Sequence, residues 1–230
     1  MDRSDKFIKL VELANTWQGE GPDTGRQMLI ARFKYCNRHC KFCDTWIKMK
    51  TSIEGSYSIN DINQALSKTK GLMITGGEPT MDSGLGSDNF YQTMSMISEC
   101  EYQVVNVETN GCNIIEFLKK LDNTVLRSDQ IVKVMYSPKT FNEEDVTKEY
   151  EKVKSVIEHP DVYLKIVADT TQLTESFIKK VAALTVSGNK SKIYLMPLGV
   201  TPEEIAKNWD YCINLADDLA LKLAAPGIRI

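Results

Sequence analysis

The chain has 230 residues, of which 42% are hydrophobic and 26% charged, a balance that suits one domain with a substantial core. The net charge is −3 and no basic block or basic-aromatic stripe is present, so nucleic acid is not the expected partner. No apolar run reaches the roughly 18 residues that would cross a bilayer. The first six residues also lack the apolar stretch of a signal peptide. These features predict a cytoplasmic protein with no direct contact with a membrane or nucleic acid.

Short β-rich runs alternate with amphipathic stretches along the chain. The predicted strands are residues 28–34, 71–75, 103–107, 131–136, 162–167 and 192–196. The predicted helices are residues 59–69, 89–101, 114–121, 143–157, 174–184 and 202–223. Such alternation is typical of parallel strands joined by helices. Because six strands are too few for an eight-stranded barrel, we expect an α/β fold with a partial, open (β/α)6 TIM-like barrel. We expect it to form a single domain over residues 1–230, with a doubly wound sheet as the alternative.

Glycine, cysteine and polar residues follow most of the predicted strands where each one ends. In parallel α/β folds these carboxyl ends lie on one face and carry the chemistry. The runs in question are residues 36–43, 76–78, 108–111, 137–139 and 197–199. Five loops on one face therefore predict one site.

Three cysteines, Cys36, Cys40 and Cys43, stand in a C-x3-C-x2-C spacing. Three thiolates this close can hold three irons of a cubane cluster and leave the fourth iron without a protein ligand. Zinc is the alternative, but structural zinc sites are closed by four ligands, and neither His39 nor His159 is well placed as the fourth. The spacing therefore favours a [4Fe-4S] cluster with an open iron. The remaining cysteines are scattered and expected to be reduced, unpaired thiols: Cys100, Cys112 and Cys212.

The cysteine run, with Phe42 before its last member, resembles the motif of the radical S-adenosylmethionine (SAM) superfamily. The Gly-Gly-Glu run that ends in Gly77 and Glu78 is similar to the superfamily's SAM-contact motif, although alone it would indicate only a tight turn. Glycines let the backbone approach a ligand closely, and a carboxylate can accept from the SAM ammonium. The resemblance implies that the open iron binds SAM. Reduction would then cleave SAM to a 5′-deoxyadenosyl radical that abstracts a substrate hydrogen.

A narrower resemblance, to 7-carboxy-7-deazaguanine synthases, rests on four short features. They are the segment 17–22, Arg32 on the first predicted strand, Asp44 with Thr45 after the last cysteine, and the Ser-Pro-Lys run at 137–139. The resemblance implies a radical SAM lyase of 7-deazapurine (queuosine-type) biosynthesis. It would convert 6-carboxy-5,6,7,8-tetrahydropterin to 7-carboxy-7-deazaguanine with loss of ammonia and regeneration of SAM.

The resemblance also implies a role for each matched residue, and no catalytic side chain beyond the cluster and SAM. The residues that would line SAM are Phe42, Cys43, Asp44, Gly77, Glu78, Ser137, Pro138, Lys139, Met196, Pro197, Leu198 and Gly199. Those that would face the pterin are Trp17, Gln18, Gly19, Glu20, Arg32 and Thr75. Thr45 would ligate Mg2+, a hard cation that keeps water or substrate oxygens in its shell. A reductant such as flavodoxin or ferredoxin and a second copy of the chain, in a homodimer, are the expected partners.

Several alternatives remain open at the level of the sequence. Arg32 could pair with an acid, Lys165 could extend its ammonium to solvent, and the run 108–111 could be either a SAM contact or a turn. Family members usually end in a strand with an Arg-x-His element, whereas no histidine follows His159 here. The runner-up function is a glycyl-radical enzyme activase of the same superfamily. A non-enzymatic iron-sulfur or zinc protein is the alternative from another class.

Overall fold

The structure is a computed structural model that describes residues 7–43, 45–46, 51–184, 192–199 and 201–223. It divides into two compact units. The first contains the described residues up to 18 together with 25–134, and the second contains 19–24 together with the described residues from 135 onward. The expectation of a single domain stays a prediction. No helix in the described ranges is long and apolar enough to cross a membrane.

The first unit combines strands and helices in alternation. Its strands are β1 (Phe7–Leu10), β2 (Glu12–Trp17), β3 (Gln27–Arg32), β4 (Gly55–Ser58), β5 (Gly71–Thr75) and β6 (Val104–Thr109), followed by the first four residues of β7 (Ile131–Tyr136). Its α-helices are α1 (Ile59–Leu66), α2 (Asn89–Glu99) and α3 (Ile114–Asp122). The main sheet runs in the order β2, β3, β5, β6, β7, and β1 pairs with β4 apart from it. The β2–β3 pair is antiparallel, while β3–β5 and β5–β6 are parallel.

The second unit continues the same alternation. After the end of β7 come β8 (Val162–Ala168), β9 (Ile193–Pro197) and β10 (Lys222–Leu223). The helices are α4 (Glu143–Val156), α5 (Gln172–Leu184) and α6 (Pro202–Leu219). The strands β8, β9 and β10 are parallel neighbours. The predicted α/β class with mostly parallel strands is therefore confirmed.

Helix starts follow the chemistry of their caps. In α6, Thr201 accepts from the backbone N–H of Glu204, whose side chain accepts from the backbone N–H of Thr201, and Pro202 occupies the first turn. Ser58 and Asp61 form the same reciprocal cap at α1. These paired bonds satisfy N–H groups that have no partner within the helix, so local sequence fixes where both helices begin.

The prediction was wrong at several strands and at the end of the last helix. Four strands, β1, β2, β4 and β10, were not predicted. None of the residues of β2 is fully buried, so that edge strand lacks the apolar pattern of an internal one. The predicted helix 202–223 ends at Leu219 because Ala220 adopts a left-handed conformation, with φ +55°, and the chain then pairs with β9.

The interior strands of the first unit place three strand ends side by side. Arg32 at the end of β3 lies in register with Thr75 at the end of β5, and Ile74 lies in register with Val107 on β6. Below these ends the buried residues Met28, Ile30, Met73 and Val104 form an apolar cluster. The loops that follow these strands are therefore supported by a packed apolar cluster.

Candidate active site

The Gly-Gly-Glu turn after β5 packs directly on the residue before the first cysteine of the motif. Glu78 donates its backbone N–H to the carbonyl oxygen of Tyr35 at 2.7 Å. Gly77 has φ +54°, and a Cβ at this position would lie 2.2 Å from the same oxygen. Asn89 ties the two segments together through its Nδ2, 3.1 Å from the carbonyl oxygen of Tyr35 and 3.0 Å from that of Glu78. Only glycine fits position 77 in this arrangement.

The side chain of Glu78 is 1% exposed and is surrounded by protein donors. Its Oε1 accepts from the backbone N–H of Thr80 at 2.9 Å, from the Thr80 hydroxyl at 2.7 Å and from the Thr109 hydroxyl. Its Oε2 accepts from the backbone N–H of Asn110 at 2.7 Å. Burial raises the pKa of the Glu78 carboxyl, while these four donors act in the opposite direction. The carboxylate therefore joins the loop after β5 to the loop after β6.

The thiol of Cys36 is the best-defined member of the cysteine triad. Its Sγ accepts from the backbone N–H of Arg38 at 3.4 Å and from the Nδ2 of Asn110 at 3.7 Å. Burial, reinforced by the charge of Glu78 and by the other two cysteines, raises the pKa of the Cys36 thiol to about 11. Cys40 and Cys43, joined by a backbone hydrogen bond of 3.1 Å, are partly exposed like Cys36, and none of the three thiols forms a disulfide.

This donor set fits an iron-sulfur cluster better than a single metal ion. In the described part of the chain, no three His, Cys, Asp or Glu side chains gather in the geometry of one ion. A cubane cluster distributes its cysteine ligands over different irons and does not require them to converge. Positive irons would also favour the thiolate form of Cys36 that burial alone opposes. Three cysteines on one loop that form no disulfide, with N–H donors aimed at one sulfur, are consistent with such a group.

Arg32 links β2, β3 and the segment that follows the cysteines. Its Nε donates to Glu12 Oε2 at 2.6 Å, and its Nη1 donates to the Thr45 hydroxyl at 3.0 Å. A Cβ on Gly76, which has φ +60°, would lie 1.9 Å from Cγ of Arg32. The arginine stem therefore lies across the Gly-Gly-Glu turn. The alternative interpretation of Arg32, pairing with an acid, matches this conformation.

The segment before β3 reaches the end of β6. Gln18 is 4% exposed, and its Nε2 donates to Glu108 Oε1 at 3.2 Å. Trp17, by contrast, is 62% exposed, so its ring faces outward rather than into the first unit. Thr75, at the end of β5, is half-buried. Sequence reasoning did not assign Glu108 a substrate role, although it lies in the strand-end run 108–111.

The second unit carries several of the other predicted residues. Lys165 on β8 contacts Glu20 at 2.6 Å between Nζ and Oε2, and the two side chains are 13% and 20% exposed. The lysine therefore does not extend into solvent. Lys139 Nζ donates to the Ser137 hydroxyl at 2.7 Å, directly after β7. These contacts place Glu20 in one polar pair and the Ser-Pro-Lys loop in another.

The loop after β9 is held mainly through its backbone. Leu198 donates its N–H to the carbonyl of Ala168 at 2.8 Å and accepts at its carbonyl from Asn208 Nδ2 at 2.7 Å. A Cβ on Gly199 would lie 2.7 Å from the backbone nitrogen of Ile205, so α6 begins in close contact with this loop. Four predicted residues lie in or beside these segments: Gly19, Pro138, Met196 and Pro197. Phe42 lies in the cysteine loop and is half-buried, and Asp44 lies outside the described residues.

One family profile, several curated proteins and one solved structure resemble this chain. A family profile described as the radical SAM superfamily matches residues 30–211. The 7-carboxy-7-deazaguanine synthase of Clostridium acetobutylicum is 30% identical over 111 residues, which are 47% of this chain and 48% of that protein. The synthase of Neisseria meningitidis is 33% identical over 107 residues, or 46% of each chain. The chain thus matches about half the length of these two relatives.

Two further similarities extend over most of the chain. The 7-carboxy-7-deazaguanine synthase of Pyrobaculum aerophilum is 24% identical over 219 residues, which are 90% of this chain and 88% of that protein. The crystal structure of QueE from Escherichia coli has a TM-score of 0.56 at 17% identity and covers 95% of this chain and 93% of that one. At this identity the structural likeness shows the fold alone.

Proposed function

The chain belongs to the radical SAM superfamily, and we propose that within this superfamily it is a 7-carboxy-7-deazaguanine synthase. It would convert 6-carboxy-5,6,7,8-tetrahydropterin to 7-carboxy-7-deazaguanine with loss of ammonia, in 7-deazapurine biosynthesis. The observation that carries the proposal is the packing of the Gly-Gly-Glu turn on the cysteine loop, at 2.7 Å between Glu78 N and Tyr35 O. The named relatives support the choice of reaction within the superfamily.

Membership implies a [4Fe-4S] cluster and SAM as cofactors. Cys36, Cys40 and Cys43 would hold the cluster. When bound and reduced, the cluster and SAM together supply the radical that removes a hydrogen atom from the substrate. The protein's own contribution is to keep Cys36 in a half-buried loop, where the N–H groups of Arg38 and Asn110 approach its sulfur.

SAM would be lined by residues from four loops. The turn ending in Gly77 and Glu78 would offer its backbone groups to SAM, and its glycines let it pack closely against Arg32 and Tyr35. Since the Glu78 carboxylate already accepts four hydrogen bonds, its main effect is to hold the turn in shape. The other side chains and backbone groups proposed for SAM are Phe42, Cys43, Asp44, Ser137, Pro138, Lys139, Met196, Pro197, Leu198 and Gly199.

The pterin presents a row of hydrogen-bond donors and acceptors, which amide and carboxylate side chains can read. Gln18 is buried and already held by Glu108, so it meets a ligand in a fixed orientation. Glu20 is held by Lys165. Arg32 would bind the substrate carboxylate, to which its planar guanidinium can offer two parallel N–H groups. The remaining residues proposed to face the pterin are Trp17, Gly19 and Thr75.

Mg2+ is proposed at Thr45, where it would neutralise the substrate carboxylate. The Thr45 hydroxyl lies 3.0 Å from Arg32 Nη1, and a second positive charge at this distance is unfavourable unless anions accompany it. Glu12, 2.6 Å from Arg32 Nε, and the substrate carboxylate would supply that negative charge. Binding of Mg2+ is therefore expected to depend on the substrate.

We also propose a cytoplasmic homodimer reduced by a flavodoxin or ferredoxin. These proposals rest on the likeness to the superfamily and to the named synthases.

The test is turnover of the anaerobically reconstituted protein with dithionite, SAM, Mg2+ and the tetrahydropterin. We expect 7-carboxy-7-deazaguanine by mass spectrometry, abolished in Cys36→Ser and retained in Cys112→Ser, the matched control outside the triad. Formation of 5′-deoxyadenosine without the deazaguanine would overturn the synthase and leave a radical SAM enzyme of another substrate, such as a glycyl-radical activase. Absence of both from a fully loaded cluster would contradict radical SAM catalysis itself.

A further inference from the structure

Asn110, in the loop after β6, directs its side chain at a cluster-ligand cysteine. Its Nδ2 lies 3.7 Å from Cys36 Sγ, within the range of an N–H to sulfur hydrogen bond, and 2.8 Å from Asn37 Oδ1. One amide nitrogen thus contacts both the first cysteine of the triad and the residue after it. The side chain is buried, so solvent does not compete strongly for these donors.

The amide is held in place from two sides. The backbone N–H of Asn110 donates to Glu78 Oε2 at 2.7 Å, and the Glu78 carboxylate is itself fixed by Thr80 and Thr109. The Asn37 side-chain oxygen accepts from the same Nδ2 that faces Cys36. Both anchors, Glu78 and Asn37, belong to the first unit. Their hydrogen bonds orient the Asn110 amide without a ligand.

From this geometry we propose that Asn110 raises the reduction potential of the cluster by donating to the Cys36 sulfur. Reduction adds an electron, and part of that charge resides on the cysteine sulfurs. An N–H donor stabilises the more negative reduced state, and hydrogen bonds to the sulfurs are among the factors that set cluster potentials. The backbone N–H of Arg38, 3.4 Å from the same sulfur, survives any side-chain substitution, so Asn110 supplies a separable part of the effect.

This tuning role of Asn110 requires only the cluster that superfamily membership implies and does not depend on the pterin reaction. Asn110 does not have to touch SAM or substrate in this function. It is a positioning and tuning residue, and Glu78 acts through it. Its test is therefore a potential measured in the absence of substrate.

The experiment is an anaerobic redox titration of the reconstituted protein, followed by the EPR signal of the reduced cluster, for the parent, Asn110→Ala and Asn110→Asp. At a fixed ambient potential we expect the ratio of reduced to oxidised cluster to fall roughly three- to tenfold in Asn110→Ala, the range of one lost hydrogen bond. A tenfold fall corresponds to about 59 mV for a one-electron couple. Asn110→Asp should fall further, because it replaces the donor with a negative charge.

Asn113→Ala is the matched control. This asparagine lies three residues further along the same loop, and its Nδ2 donates to the carbonyl of Thr80 at 3.1 Å. Its removal should leave the cluster potential within error of the parent. If Asn110→Ala or Asn110→Asp, loaded with a full cluster, titrates at the parent's potential, the proposal is overturned. Loss of the cluster from both variants with an unchanged circular dichroism spectrum would also overturn it, since a tuning donor is not needed for assembly. Absence of deazaguanine from the parent, with the cluster potential lowered in Asn110→Ala as expected, would contradict the proposed reaction and leave the tuning role of Asn110 standing.

Discussion

The carbonyl oxygen of Tyr35 occupies the space into which any side chain on Gly77 would have to grow. A Cβ at position 77 would lie 2.2 Å from this oxygen, and the same oxygen accepts from the backbone N–H of Glu78. We therefore expect Gly77→Ala to lose both stability and SAM binding. The left-handed φ alone costs about 1–2 kcal/mol for a residue with a Cβ, and the backbone clash adds to this.

Gly86→Ala separates the cost of the left-handed backbone from the cost of the clash with Tyr35. Gly86 has φ +88°, but a Cβ there would meet no atom within 4 Å. By urea denaturation Gly86→Ala should lose about 1–2 kcal/mol and keep its SAM affinity in equilibrium dialysis. Equal losses of stability and SAM affinity in the two variants would contradict the packing of Gly77 on Tyr35.

Substitution of Glu78 by Gln tests the buried carboxylate. The amide keeps the shape of the carboxylate, but its NH2 group is a donor where the carboxylate had an acceptor oxygen. It would therefore face another donor, either the Asn110 N–H or the Thr80 and Thr109 groups. A buried donor left without an acceptor costs about 1–3 kcal/mol. Chemical denaturation measures this loss. An unchanged free energy of unfolding would show that the four hydrogen bonds do not stabilise the loops.

The Glu20–Lys165 pair should stabilise the protein more than a surface pair does. Lys165→Met keeps the stem and removes the ammonium from a largely buried carboxylate, so we expect a loss of about 1–3 kcal/mol in the free energy of unfolding. Lys179→Met is the control, because the Lys179–Glu175 pair lies on an exposed helix face. That change should leave the free energy of unfolding close to the parent's, because water screens an exposed pair. A larger loss of stability in Lys179→Met than in Lys165→Met would contradict the expectation that the more buried pair stabilises the protein more.

Asn106 on β6 should be replaceable with a gain in stability. Its Oδ1 is buried and has no hydrogen-bond partner among the described residues. Asn106→Leu removes a desolvated carbonyl and should raise the free energy of unfolding by about 1 kcal/mol or more. Asn208→Leu provides the contrast, since Asn208 Nδ2 donates to the carbonyl of Leu198 at 2.7 Å. It should lower stability, and a melting temperature that falls in both variants would count against this account of Asn106.

Cys100 and Cys212 should react more slowly with alkylating reagents than an ordinary cysteine does. Burial raises the pKa of Cys100 to about 12 and that of Cys212 to about 11. At pH 8 these thiols would be more than about a hundredfold poorer in thiolate than an ordinary cysteine. Mass spectrometry after brief alkylation of the folded protein should find them unmodified and find both modified after unfolding. Rapid labelling of Cys100 in the folded state would contradict its burial.

The sequence predicted features whose signal is local, and missed those that depend on distant partners. The triad spacing, the Gly-Gly-Glu turn and the cap of α6 each depend on a few neighbouring residues. The pairing of Arg32 with Glu12 depends on an antiparallel edge strand, β2, that carries no buried pattern. The network of Glu78 depends on which strand lies next to β5, and no periodicity specifies that neighbour. Glu108 lay in a recognised run, but its contact with Gln18 required the fold.

The two compact units are interleaved along the chain, because residues 19–24 belong with those from 135 onward. A fragment that stops at residue 134 would carry Glu20 without Lys165, and Gly21 without Met135, whose methyl group would lie 2.8 Å from a Cβ on that glycine. Split-protein complementation at this boundary should therefore yield halves that fold only when combined. Engineering by domain exchange would have to move the short segment and the C-terminal portion together. Two of the residues proposed to face the pterin, Gly19 and Glu20, therefore belong to the second unit although they lie among first-unit residues in the sequence.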